Sequence, residues 1–95
     1  MLEKEVERKM GAMVRARGGQ FLKWVSPGMP GVPDRVLILP CGKVWFVELK
    51  TDKGRLSAIQ KHTHKMLSGM GCNVHTVYGH EDARKFVEEV FENAI

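Results

Sequence analysis

Features typical of secreted, membrane-bound or repetitive proteins are scarce in this sequence. Only two cysteines occur, Cys41 and Cys72, too few for a disulfide framework, which favours a reducing, cytoplasmic setting. No apolar run reaches the length of a membrane-spanning helix, and no signal-peptide pattern is present. No repeat, low-complexity tract or linker interrupts the chain. These absences predict one domain with no membrane partner.

Length and charge set further bounds. The 95 residues suffice for one domain, expected to span residues 1–95, but for only a small core, which dimerisation would enlarge. The 15 Lys and Arg residues outnumber the 11 Asp and Glu residues, for a net charge of +4. This moderate basic excess suits a phosphate-rich partner, although many small basic proteins bind nothing acidic.

The stretch from Gly31 to Arg55 is the most informative. Residues 36–39 and 44–47 are apolar, rich in β-branched or aromatic types, and separated by Pro-Cys-Gly-Lys. This pattern predicts a β-hairpin whose strands are buried on both faces. Asp34 precedes the first strand, and Glu48 and Lys50 end the second. Because alternate strand residues share a face, Glu48 and Lys50 point together, and Leu49 points into the core.

The length of the hairpin loop decides whether Asp34 joins Glu48. A four-residue loop would place Asp34 opposite Leu49, on the wrong face. A three- or five-residue loop, or a bulge, would place it opposite Glu48. We predict that one of these occurs.

Two carboxylates and an ammonium group on one face predict a cation site. Like charges repel, and burial raises the pKa of carboxyl groups, so Asp34 and Glu48 need a compensating positive charge. Mg²⁺ prefers oxygen ligands and keeps waters and phosphate oxygens in its shell. Bound metal activates water and polarises phosphate, and Lys50 could orient that water or stabilise developing charge. The predicted reaction is phosphodiester hydrolysis, and the alternative is a salt-bridged hairpin near solvent.

Periodicity and breakers predict the other elements. They are a helix over residues 3–17, a strand over 20–25, a Pro/Gly-rich loop over 26–33, a helix from Ser57, a strand over 73–78 and a helix over 81–93. The second helix is predicted to bury Ile59, Met66, Leu67 and Met70 and to leave Lys61, His64 and Lys65 available to DNA. Gln60 fits a capping box with Ser57, and a glutamine used in this way would not also serve a metal site.

The pattern resembles the PD-(D/E)xK nucleases, and among them the VRR-NUC (virus-type replication–repair nuclease) domain. The likeness covers nearly the whole chain. It is carried by Gly31-Val32-Pro33-Asp34-Arg35, Phe46-Val47-Glu48-Leu49-Lys50, Gly54-Arg55-Leu56-Ser57 and Gln60. It implies an α/β, restriction-endonuclease-like αβββαβ core with a mixed four-stranded sheet flanked by helices, plus a carboxyl-terminal helix.

The resemblance also implies roles for particular residues. Asp34, Glu48 and the Leu49 backbone carbonyl would bind Mg²⁺ or Mn²⁺. Lys50 would be the catalytic lysine, with Gln60 assisting near the metal or substrate. An acidic residue of the first helix would join the metal site, and Glu7 is the choice, with Glu3 in reserve. The alternative for Glu7 is a solvated position in the first turn.

Five residues are predicted to contact DNA: Ser26, Arg35, Lys53, Arg55 and Lys61. Ser26 has a turn-capping alternative, and the Lys53–Arg55 loop is equally consistent with a solvated turn. The family likeness suggests a homodimer cleaving branched DNA such as a four-way junction, because symmetric cleavage of two strands needs two active sites. A bacterial or phage-infected cytoplasm is the expected location.

Three other hypotheses fit parts of the sequence. A zinc site could use His62, His64, Cys72 and His75, but residues two apart on a helix point about 200° from one another, which disfavours joint ligation. A DNA-binding module without catalysis, or a nuclease acting on flaps or other non-junction DNA, would also be basic. A sequence-reading restriction enzyme would need added recognition elements, so recognition of shape and backbone is favoured.

Overall fold

A computed structural model describes residues 2–93; residues 1, 94 and 95, which the predicted domain includes, lie outside the described residues. The elements are α1 (Glu3–Ala16), β1 (Gln20–Lys23), β2 (Arg35–Ile38), β3 (Val44–Lys50), α2 (Ala58–Gly69), β4 (Val74–Tyr78) and α3 (Gly79–Glu92). The sheet order is β1-β2-β3-β4. The first two pairings are antiparallel and the third is parallel, as the predicted mixed sheet requires.

Helices α1 and α3 form one layer against the sheet. Val6, Met10 and Val14 lie four residues apart on α1, and all three are fully buried. Leu37, Val47, Leu49 and Val77 meet them from the sheet, and Ala83, Phe86, Val87 and Val90 complete this core from α3. Gly18, with φ of +84°, ends α1, because the left-handed region is open to glycine.

The hairpin has the register that sets Asp34 against Glu48. Ile38 pairs with Val44 and Arg35 with Val47, so five residues separate the paired strand ends. One step beyond the Arg35–Val47 pair, Asp34 lies opposite Glu48. The prediction of a loop that brings the two carboxylates into register is therefore confirmed.

Two predictions about burial were wrong. The hairpin was expected to be buried on both faces, but Val36, Ile38 and Phe46, on the face away from α1 and α3, are half-buried. On α2, Ile59 and Met70 are 47% and 76% exposed, whereas Thr63 and His64 are buried. The α2 helix turns a polar face inward, because the sheet carries Glu48 and Lys50 on the side that α2 covers.

Candidate active site

The β3 strand carries Glu48 and Lys50 on the face turned towards α2. Glu48 is 1% exposed, and the Lys50 ammonium Nζ lies 3.6 Å from its Oε2. Leu49, between them, is fully buried in the α1–α3 core. The alternation of β3 therefore joins an acid and a base beside each other at the point where the strand ends.

Asp34 is held at this point by the backbone on both sides. Its carbonyl oxygen accepts a hydrogen bond from the Trp24 amide at 2.8 Å. Its carboxylate Oδ2 accepts one from the Leu49 amide at 3.0 Å. The second carboxylate oxygen has no part in these bonds, and Asp34 lies opposite Glu48, close enough for its charge to raise the Glu48 pKa. The two carboxylates therefore face one small region.

The Leu49 carbonyl faces the same region. The Phe46 amide donates a hydrogen bond to the Asn73 carbonyl, which precedes β4. The backbone amides and carbonyls of even-numbered β3 residues therefore point towards β4, and those of odd-numbered residues point towards β2. The carbonyl of Leu49 thus lies on the same side as its amide, which donates to Asp34. The ladder position opposite Leu49 falls on Pro33, which has no amide hydrogen. This carbonyl is therefore available as a ligand.

Electrostatics favour a cation here. Burial, with the nearby charge of Asp34, raises the pKa of Glu48 from 4.5 to about 7, although Lys50 acts in the opposite direction. Glu48 Oε1 is buried and has no hydrogen-bond partner among residues 2–93. Two carboxylates and a carbonyl offer hard oxygen donors, which suit Mg²⁺ or Mn²⁺ if water and phosphate complete the shell. The described chain contains no cluster of three or more Asp, Glu, His or Cys side chains that could hold a metal ion. A cation at this position would therefore need the carbonyl, water and phosphate as further ligands.

Gln60 makes both the capping-box contact with Ser57 and a contact with the carboxylate pair, which were predicted to exclude one another. Its Oε1 accepts from the Ser57 amide at 2.9 Å, and the Ser57 hydroxyl accepts from the Gln60 amide at 3.2 Å, which completes the capping box. Its Nε2 donates to Glu48 Oε2 at 3.3 Å. The exclusion was wrong because the two ends of a carboxamide act independently.

His64 is a site residue that sequence reasoning missed. It is 7% exposed, and its Nε2 lies 3.8 Å from Glu48 Oε1, so the expectation that it faces solvent and DNA was wrong. Burial lowers the pKa of His64 from its usual 6.5, against the opposing effect of Asp34. Its spacing from Gln60 was the available signal, because residues four apart share a helix face.

Glu7 and Arg35 are not brought to this cluster. Arg35 neighbours Asp34 in the chain and points to the opposite face of the sheet, where its guanidinium pairs with the Glu7 carboxylate. The same guanidinium lies over the Phe21 ring, 5.4 Å from its centroid. Both residues line an open hollow beside α1. The structure thus gives Glu7 a scaffold contact on the face away from Glu48.

The remaining predicted DNA contacts lie on the side of the sheet where β3 ends. Lys53 and Arg55 are exposed in the loop between β3 and α2, and Lys61 is exposed next to Gln60. Ser26 is half-buried, and its carbonyl accepts from the Met29 amide in a turn. Two of the cations therefore follow the end of β3 and the third adjoins Gln60 along α2, whereas Ser26 belongs to the loop that leads to Asp34.

The four residues of the alternative zinc site do not act together. His64 faces Glu48, whereas His75 stacks on Phe86 with ring centroids 4.3 Å apart, beside α3. His62 is exposed and Cys72 is half-buried.

No helix among residues 2–93 combines the length and apolarity that membrane crossing requires.

Comparison with known proteins agrees with this fold. No protein-family model matches the chain. The chain is 40% identical over 72 residues to "Putative nuclease p44" of Acyrthosiphon pisum secondary endosymbiont phage 1, across 76% of this chain and 77% of that protein. It also superimposes on a solved VRR_NUC domain with a TM-score of 0.83 and 30% identity, across 90% of this chain and 94% of the other. The resemblance read from the motifs is thereby confirmed, and the chain belongs to the VRR-NUC family of nucleases.

Proposed function

We propose that this nuclease is a DNA endonuclease that depends on Mg²⁺ or Mn²⁺ and hydrolyses phosphodiester bonds. The observation that carries the proposal is that half-buried Asp34 lies opposite buried Glu48, beside Lys50, and that one Glu48 oxygen lacks a hydrogen-bond partner in the described chain. An acidic pair of this kind is costly without a cation, and a divalent ion offsets that cost.

Each residue of the cluster has a distinct task in this proposal. Asp34, Glu48 and the Leu49 carbonyl would hold the cation, and a cation held there would polarise the phosphate and acidify a water molecule. Lys50 orients the attacking water or stabilises charge on the phosphate oxygens, since its ammonium is anchored beside Glu48. Gln60 fixes the Glu48 carboxylate by donating to Oε2. Glu7 is left out, because it is engaged with Arg35 on the other face.

The DNA backbone is proposed to lie across the end of β3. Lys53 and Arg55 are exposed in the loop that follows β3, and Lys61 is exposed next to Gln60. These cations would contact phosphates, and Ser26 would contribute through its loop. Arg35 is a weaker candidate for DNA contact, because its guanidinium pairs with Glu7 on the far face.

Branched DNA, in particular a four-way junction, is the proposed substrate, and a homodimer the proposed active form. One chain carries one carboxylate pair, so symmetric incision of two strands needs two copies related by a two-fold axis. The proposed location is the cytoplasm of a bacterium or a phage-infected host, in keeping with the phage origin of the similar protein.

Cleavage of a substrate panel tests this function. Labelled duplex, flap, splayed-arm and four-way DNA would be incubated with Mg²⁺, Mn²⁺ or EDTA, using the wild-type protein and Asp34→Asn, Glu48→Gln and Lys50→Ala. We expect metal-dependent incision, strongest on the junction, and a loss of at least about 100-fold in each variant. Junction binding in EDTA should persist, and size-exclusion light scattering should report a dimer.

The outcomes separate the parts of the proposal. Cleavage in EDTA, or normal turnover in any of the three variants, would overturn the assigned site. A preference for flap DNA would overturn only the proposed substrate. A monomer that cleaves junctions at the full rate would overturn the proposal that the active form is a dimer. Binding without cleavage under every metal and pH would favour a non-catalytic DNA-binding module.

A further inference from the structure

The polar face of α2 connects the two segments that carry the carboxylates. Gly31 and Pro30, in the loop before Asp34, pack against α2, and Glu48 comes from β3. Thr63 donates its hydroxyl hydrogen to the Pro30 carbonyl at 2.9 Å. A side chain at Gly31 would meet the Ile59 carbonyl oxygen at 2.7 Å, and the φ of +82° also favours glycine there. The loop therefore lies directly on α2.

His64 is the α2 residue that reaches both segments. Its Nε2 lies 3.8 Å from Glu48 Oε1, and the Gly31 backbone lies close enough to its ring to influence the pKa of His64. With Nε2 turned to Glu48, Nδ1 is the nitrogen left for Gly31. The 3.8 Å separation exceeds a direct hydrogen bond, and both facing atoms are buried without a hydrogen-bond partner among residues 2–93. The imidazole thus lies between the two segments that bear the carboxylates.

We propose that His64 is a positioning residue, which holds the Gly31–Asp34 loop and Glu48 at the separation that a divalent cation requires. This inference rests on the proposed function. Gln60 holds Glu48 Oε2 by a hydrogen bond from the same helix, and the His64 ring limits the space that Oε1 can occupy. Partners that orient metal ligands typically change metal affinity or activity about 10- to 100-fold when removed.

Four substitutions on α2 separate positioning from simple space filling. His64→Gln places an amide near the position of Nε2, facing Glu48, and His64→Asn places one near Nδ1, facing Gly31. His64→Leu fills the space without polar groups. His62→Leu, two residues away and exposed, is the matched control.

Binding of Mn²⁺ alone, without DNA, would be measured by electron paramagnetic resonance of the free ion, with Asp34→Asn identifying the site. We expect His64→Leu to weaken Mn²⁺ binding about 10-fold or more. His64→Gln should stay within about threefold of wild type, and His64→Asn should bind at least about fivefold more weakly than His64→Gln. His62→Leu should bind as wild type does. Cleavage by His64→Leu should need more metal but approach the wild-type rate at saturation.

Equal Mn²⁺ affinity in the wild type and His64→Leu, with Asp34→Asn defective, would overturn the role of His64 and leave the proposed function intact. Wild-type Mn²⁺ binding that Asp34→Asn does not weaken would overturn both. If His64→Leu does not fold, the comparison of His64→Gln with His64→Asn decides. Equal affinities in those two variants would reduce His64 to a packing residue.

Discussion

At the scale of single residues, the site depends on groups that each make more than one contact. Asp34 uses its carbonyl for Trp24 and one carboxylate oxygen for Leu49, which leaves the other oxygen for the site. Gln60 caps α2 and holds Glu48. Glu48 contacts Gln60 and Lys50 through Oε2, but its buried Oε1 lacks a hydrogen-bond partner among residues 2–93. Its ionisation should therefore be a cost to the metal-free fold.

Glu48→Gln should change the pH dependence of stability in the metal-free protein. The pKa of Glu48 is raised in the folded state from 4.5 to about 7. Below pH 4.5 the Glu48 carboxyl is protonated in both the folded and the unfolded protein. As the pH rises from 4.5 towards 7, the unfolded protein releases this proton first, so the folded protein loses stability. We expect Glu48→Gln to gain roughly 1–3 kcal/mol relative to wild type between pH 5 and pH 8.

Urea unfolding in EDTA at the two pH values measures this difference. A constant difference between variant and wild type would show that Glu48 is not buried as a costly charge. Adding Mg²⁺ at pH 8 is the control, since a cation bound to the native state should stabilise wild type and not Glu48→Gln.

At the scale of elements, the hairpin positions the two carboxylates, and α2 supplies the side chains that contact Glu48. Five residues separate the paired ends of β2 and β3, and that spacing sets Asp34 against Glu48. Helix α2 adds Gln60 and His64 from the side. Just before β2, Pro33 lies opposite Leu49 and has no amide hydrogen to donate. The Leu49 carbonyl is therefore left available as a metal ligand.

Pro33→Ala tests that explanation. An alanine amide opposite Leu49 is expected to compete for the carbonyl and to weaken Mn²⁺ binding roughly 2- to 10-fold, the equivalent of one hydrogen bond of about 0.5–1.5 kcal/mol. Pro40→Ala, in the exposed hairpin loop, is the control and should bind normally. Isothermal titration with Mn²⁺, alongside the melting temperature of each variant, gives the comparison. Unchanged affinity in folded Pro33→Ala would remove the Leu49 carbonyl from the ligand set.

At the scale of the whole molecule, the two faces of the sheet have different roles. One face packs α1 and α3 into the apolar core. The other carries the acidic pair, and exposed cations follow it in the β3–α2 loop and on α2. The net charge of +4 is modest, so the location of those cations matters more than their number.

Lys53→Ala and Arg55→Ala should each weaken DNA binding and lower the slope of log affinity against log salt by about one per protomer, because each removes one phosphate contact. Lys43→Ala is the matched control, since Lys43 is exposed at the opposite end of β3. Fluorescence anisotropy with junction DNA in EDTA, over a range of salt concentrations, measures the slopes. If Lys43→Ala changes the slope as much as Lys53→Ala does, binding is diffuse and not centred on the site.

The sequence alone determined which residues of β3 act together, and most of the element order. The period of two in a strand is a local rule, so Glu48, Leu49 and Lys50 could be assigned to opposite faces before any fold was known. Small errors occurred at element ends, where β1 stops at Lys23 and α3 begins at Gly79. Such ends depend on packing and caps as well as on periodicity.

Tertiary structure alone decided which helix residues reach the carboxylates. Apolar periodicity predicted that Ile59 would be buried and His64 exposed, and the reverse holds, because α2 covers a sheet face that carries charge. Glu7 was predicted to join the metal site, but it pairs with Arg35, because α1 lies across the sheet from Glu48. A helix pattern shows which residues share a side; the partner that the side meets follows only from how the layers pack.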